Sequence, residues 1–197
     1  MSTAQRLVAG RPPVTSHAEI EAVSFELFAT QGFDNTTLDD IATALGVGRR
    51  TLFRYFPSKN DIPWGRFDAS LEVLRVNLES THPDVPLFEA INRAVVDFNR
   101  FDPLALPQHR QRMTLILRTP ALQAHSALRY EQWRAVIANY VAMRLATPAD
   151  SLVPRLAGHV ALALALSAYE QWLESDARTL EELLLGTGSA LHSILGN

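Results

Sequence analysis

Along most of the chain, apolar residues recur every three or four positions, the spacing that lines one face of an α-helix. Ser16 and Glu19 form a capping box ahead of Ile20, Val23, Leu27 and Phe28, and Gly32 is a stop signal. A second helix follows the Thr36–Thr37 caps, with Leu38, Ile41, Ala42 and Leu45 on one face and Gly46 at its end. A third begins after Gly48, where Val47 and Leu52 have the spacing of a hydrophobic staple. Ser58 and Asp61 are expected to cap a longer fourth helix with an apolar stripe of Trp64, Phe67, Leu71, Leu74 and Leu78. Pro63 falls about five residues into it, where the missing N–H costs a helical hydrogen bond, and Gly65 follows. That pair predicts a weak point between two parts of the molecule.

Beyond the loop THPDVP, residues 81–86, Ala and Leu dominate. Helices are predicted over residues 87–101, 109–118, 124–145, 154–174 and 180–195, with breaks at 102–107, 119–120, 147–148 and 175–176. The run VALALAL alternates like a strand, yet Ala and Leu favour helix and its flanks are helical. The predicted fold class is all-α, with about nine helices in total. Residues 1–14 read as a flexible arm, 15–60 as a three-helix head, 61–82 as a linking helix and 83–197 as a larger helical body.

A net charge of −3 means that contact with a polyanion must come from a local cluster. The chain has no cysteine, which excludes disulfides and thiolate chemistry. The first residues lack the apolar core of a signal peptide, and the run VALALALSAY is about half of the roughly 20 residues that span a bilayer. A soluble, cytoplasmic protein with no membrane partner is expected.

The second and third helices, joined by Leu45-Gly46-Val47-Gly48, have the form of a helix-turn-helix, whose second helix enters the DNA major groove. Leu52, Tyr55 and Phe56 are predicted on or beside its inward face, leaving Arg49, Arg50, Phe53 and Arg54 outward. An arginine fork reads guanine O6 and N7, and a phenyl ring suits a thymine methyl. Tyr55 and Lys59, the latter the chain's sole lysine, are placed to meet phosphate, Lys59 at the start of the next helix where the dipole also favours an anion. Thr37, Gly48 and Thr51 complete the expected DNA-contacting set. The basic N-terminal Arg6 and residues 10–13 suit either a tail or a minor-groove reader.

The stretches AVSFELFATQGFDNTTLDDIATALGV and GRRTLFRYFPSKNDI resemble the N-terminal domain of the TetR family of transcriptional regulators. The resemblance implies a three-helix DNA-binding head, a linking helix, an effector-binding body and a homodimer that represses transcription from a palindromic operator. It also implies that Arg49, Arg50, Phe53 and Arg54 face bases while Tyr55 and Lys59 contact phosphate. Gly48 departs from the hydroxyl usual at that cap, at a cost of a few tenths of a kcal/mol. SKNDIPWGRFD is similar to the subgroup encoded beside mycofactocin biosynthesis genes, in which the WG–FD signature recurs.

For the body, Phe98, Met113, Leu117, Trp133, Ile137 and Tyr140 are the expected lining of a small-molecule cavity, each with plain core as the competing reading. Arg110, Arg112, Arg118, Arg129 and Arg134 make the middle region locally basic, which suits a charged face or the phosphates of an acyl-CoA effector. Ala161, Leu162, Ala165, Leu166, Tyr169 and Trp172 are expected at a four-helix dimer interface, with burial inside one chain as the alternative. No cofactor or metal is expected, and an enzyme is disfavoured. The six histidines show no metal-ligand spacing and each reads as a surface or satisfied residue, and no nucleophile motif or phosphate loop occurs. Two other readings remain at this point: a transcriptional activator, or an all-α ligand-binding module without operator affinity.

Overall fold

The computed structural model describes residues 15–195, and the expected N-terminal arm lies outside them. Nine α-helices and two short 3-10 turns, and no strand, occur among the described residues. Contacts divide the chain into two units, one ending at Gly65 and one beginning at Arg66. Of the expected linking segment, residues 61–65 fall in the first unit and 66–82 in the second.

In the first unit, α1 (His17–Gln31) and α2 (Leu38–Leu45) both start with capping boxes, Ser16 with Glu19 and Thr37 with Asp40. Each box satisfies amide groups that the first helical turn would otherwise leave without a partner. Gly46 ends α2 at φ 65, ψ 28, a left-handed conformation that glycine adopts without a Cβ clash. That turn sets α3 (Arg49–Phe53) across α2. Ile20, Phe25, Phe28, Phe33, Ile41, Leu52, Phe56 and Ile62 form the buried centre of this unit.

The predicted fourth helix is interrupted. Lys59–Trp64 is a 3-10 turn that contains Pro63, and Gly65 follows at φ 54, ψ −127 before α4 (Phe67–Glu79) begins. Proline removes one backbone donor and glycine accepts the positive φ, so the α-helix restarts at Phe67. Ser58 Oγ bonds Asp61 Oδ2 at 2.6 Å rather than capping a backbone N–H.

The second unit contains α4, α5 (Leu87–Phe98), α6 (Leu106–Arg118), α7 (Pro120–Leu145), α8 (Leu152–Glu174) and α9 (Leu180–Leu195). Its core joins Leu74 and Leu78 of α4 to Ile91 and Val95 of α5, Trp133, Ile137 and Val141 of α7, and Ala165 and Ala168 of α8. The helices α7 and α8 cross closely at Gly158, where a Cβ would lie 2.7 Å from the Arg134 carbonyl oxygen. Arg144 closes the end of α7 by donating to Tyr140 Oη and to the carbonyls of Pro83 and Val85 in the α4–α5 turn. By length and composition α8 is apolar enough to cross a membrane, although the run VALALALSAY is short. Its packing against α7 and α9 makes it a body helix.

Candidate nucleic-acid interface

The five residues of α3 present two chemically different sides. Leu52 and Phe56 just beyond it are buried, while Arg49, Arg50, Phe53 and Arg54 are exposed, as their spacing predicts. Burial of Leu52 and Phe56 fixes the rotation of the helix, and that rotation aims the guanidinium groups outward. Arg49 pairs with Asp39 of α2 at 3.1 Å and lies 5.5 Å from the Phe53 ring centre. Both partners of that pair are exposed, so it orients Arg49 more than it stabilises the unit. Arg54 lies over the Tyr55 ring at 5.8 Å.

Two expected phosphate ligands, Tyr55 and Lys59, have partners within the chain. The Tyr55 hydroxyl donates to the Thr15 carbonyl and its ring meets His17 edge-on, so it ties α3 to the start of α1. Lys59 Nζ donates to the carbonyls of Phe33 and Thr36 at 2.7 and 2.8 Å and lies 4.4 Å from the Phe33 ring centre. Burial lowers its pKa, with the Asp34 charge opposing. Lys59 thus clasps the α1–α2 loop, and it begins a 3-10 turn instead of a long helix with a full dipole.

Thr37 is likewise engaged: its hydroxyl donates to Asp40 Oδ2 at 2.7 Å and accepts from the Asp40 amide. The Thr37 hydroxyl and then its backbone N–H hold the Asp40 carboxyl below the usual carboxylate range. Thr51 is half-buried. Gly48 caps α3 without a side-chain hydrogen bond, and a Cβ there would meet nothing within 4 Å. The exposed set is therefore Arg49, Arg50, Phe53 and Arg54, with Gly48 at its edge.

In the body, Trp133, Ile137 and Tyr140 belong to the packed core, and the Tyr140 hydroxyl accepts from Arg144. Phe98, Met113 and Leu117 are partly buried against that core, so the expected cavity lining splits into packed and half-exposed halves. Of the residues expected at a dimer interface, Ala161, Ala165, Tyr169 and Trp172 are buried within the chain itself, whereas Leu162 and Leu166 stay partly exposed. The reason lies in register: positions 161, 165, 169 and 172 form one inward stripe of α8, whose Tyr169 and Trp172 meet His109 and Arg110 of α6. Leu152, Val153 and Leu156 of α8 and Leu185, Ile194 and Leu195 of α9 are exposed large apolar side chains on those helices. The middle arginines also separate. Arg110 pairs with Asp176 and lies over Trp172, and Arg129 pairs with Asp68 and lies over Phe67.

One buried polar group has no marker in the sequence. His109 of α6 is 6% exposed, and its Nε2 lies 2.7 Å from the Tyr169 hydroxyl, which donates to Asn99 Oδ1. Only the tertiary fold brings these three positions together, so no local signal marked them.

The first unit matches the family described as bacterial regulatory proteins, tetR family, over residues 20–62. The body matches the MftR C-terminal domain over residues 85–195. The provisionally named mycofactocin biosynthesis transcriptional regulator MftR of Mycobacterium tuberculosis is 43% identical over 175 residues, covering 89% of this chain and 88% of that protein. Among solved structures, a TetR-family transcriptional regulator from Syntrophomonas wolfei aligns with a TM-score of 0.64 at 17% identity, covering 91% of this chain and 93% of the other. The regulator FadR from Bacillus subtilis in complex with stearoyl-CoA aligns with a TM-score of 0.59 at 16% identity, covering 90% and 96%. At those identities the structural likeness is one of fold.

Proposed function

Because the chain belongs to the TetR family of transcriptional regulators and carries the MftR-type C-terminal domain, we propose that it acts as a homodimeric repressor released by an apolar effector. The family is one of DNA-binding regulators, not of enzymes. The observation that carries the reading is the exposed face of α3, where Arg49, Arg50, Phe53 and Arg54 project from a helix whose rotation Leu52 and Phe56 fix. Arginine on a short helix after a tight turn suits guanine edges in the major groove, and one such face spans too few bases for a genomic site. Two copies related by a two-fold axis would read a palindrome. The exposed apolar side chains of α8 and α9 support pairing of those helices across that axis.

An acyl-CoA is the favoured effector class. The FadR neighbour binds stearoyl-CoA on the same fold, and this body combines half-buried Phe98, Met113 and Leu117 with arginines on α6 and α7. The relationship to the M. tuberculosis regulator makes the DNA upstream of mycofactocin biosynthesis genes the first place to seek the operator.

Mobility-shift titration tests both parts. Specific binding should weaken steeply with salt, with a log–log slope of roughly −0.9 per phosphate neutralised. A long-chain acyl-CoA should then release the fragment. A salt-independent or fragment-blind interaction would leave an all-α ligand-binding module, and tighter binding with acyl-CoA would contradict release.

A further inference from the structure

The buried chain of hydrogen bonds in the body has a fixed direction. Asn99 Nδ2 donates to the Val95 carbonyl at 2.7 Å, so the amide must present its oxygen to Tyr169. The opposite amide orientation would set two acceptors against each other. Tyr169 has a single proton, and it goes to Asn99 Oδ1 at 2.6 Å. The tyrosine oxygen is therefore the acceptor for His109, and His109 Nε2 carries the imidazole proton. Nδ1 is left as a bare lone pair. It is buried and has no hydrogen-bond partner.

Native interiors rarely leave such an acceptor unmatched, because it has lost its water and gained nothing in return. The imidazole does not relieve the loss by protonation. Burial and then the nearby Arg112 charge push its pKa down to about 3, so it stays neutral at physiological pH. The same Arg112 charge disfavours an ammonium donor. A neutral N–H or O–H is what fits.

The imidazole is surrounded mainly by aromatic rings. Phe101 stacks on the imidazole at 3.7 Å between centres, and Trp172 and Tyr169 lie at 5.9 and 5.6 Å. Phe101 sits in the α5–α6 connection and is 37% exposed, so one side chain reaches from the buried ring to the surface. We propose that His109 Nδ1 anchors the effector by accepting a hydrogen bond from a neutral donor, an amide N–H or a hydroxyl, which enters where Phe101 swings aside. This deepens the ligand-responsive reading above and rests on it.

Two matched probes test the anchor on the full-length protein: N-methyldodecanamide, which has one N–H, and N,N-dimethyldodecanamide, which has none. Calorimetric titration should show the first binding about tenfold more tightly, the usual consequence of leaving a buried acceptor unmatched. Nitrogen-15 spectra of the unliganded protein should show His109 protonated at Nε2, and the first probe should shift its Nδ1 resonance. In His109→Phe, which keeps an aromatic ring for Phe101, the preference should vanish. Equal affinities, no binding of either probe, the opposite tautomer, or a preference surviving His109→Phe would each overturn the proposal. So would an Nδ1 resonance unmoved by both probes, the sign of a trapped water. The wild-type spectra decide the matter even where His109→Phe fails to fold. If acyl-CoA still releases operator DNA from a folded His109→Phe protein, the anchor is wrong and the effector reading stands. If no acyl-CoA releases it from the wild type, the effector reading itself fails.

Discussion

The head and the body are both helical bundles, yet their sequences specify them in different ways. In the head, helices of 15, 8 and 5 residues begin and end at chemistry visible in neighbouring residues, such as the Ser16–Glu19 and Thr37–Asp40 boxes and the turn at Gly46. In the body, helices of up to 26 residues lack side-chain caps at α5, α6, α7 and α8 and are placed by the neighbours their faces meet. The Gly46 turn and the burial of Leu52 and Phe56, residues close in sequence, therefore set the exposed side of α3, whereas distant packing decides what the body buries. A substitution at a close helix crossing should damage the body most. Gly158→Val would drive a side chain into the Arg134 carbonyl, 2.7 Å from the first added atom, and should lower unfolding stability by about 3 kcal/mol. Denaturant unfolding with an unchanged midpoint would show that α7 and α8 can separate there at little cost.

The corresponding test in the head concerns Lys59. As a clasp on two carbonyls, its replacement by Met should cost about 2 kcal/mol of head stability. The salt slope of DNA binding should stay the same. A shallower slope with unchanged stability would return Lys59 to the phosphate-contacting role.

Acid should act on the body through His109. His109 has a folded pKa of about 3 against an unfolded value near 6.5, so the unfolded chain binds the extra proton between those values. Body stability is therefore undiminished above about pH 6.5 and falls as pH drops toward 3, by up to roughly 1.4 kcal/mol per pH unit from this residue. His109→Phe should flatten that part of the pH–stability curve. A curve identical to the wild type would mean that the imidazole reaches water.

These same contrasts explain what could be read from the sequence. The all-α class, the Ser16–Glu19 capping box, the turn at Gly46 and the outward set Arg49, Arg50, Phe53 and Arg54 follow from interactions within a few positions, and the structure reproduces them. The partners of Tyr55 and Lys59 lie 40 and 26 positions away, so exposed cationic and phenolic tips looked available for phosphate. On α8, apolar residues occur on nearly every side between 160 and 169, and periodicity alone cannot choose the buried stripe. His109, Asn99 and Tyr169 are separated by up to 70 positions, which no spacing rule connects.

The smallest expected effect sharpens the head's local character. Open space at Gly48 and its ordinary φ of −77 leave room for a hydroxyl cap on α3. Gly48→Ser should raise head stability by a few tenths of a kcal/mol. A loss instead would mean that the glycine is required for backbone reasons.

The exposed side of α3 is proposed to read DNA bases. Fluorescence anisotropy with a selected operator and a scrambled duplex, compared for wild type and Arg50→Ala at matched salt, tests it most directly. The account predicts that the operator preference falls by about 1–3 kcal/mol while affinity for the scrambled duplex changes little. Equal losses on both duplexes, or an operator preference untouched by the substitution, would contradict it.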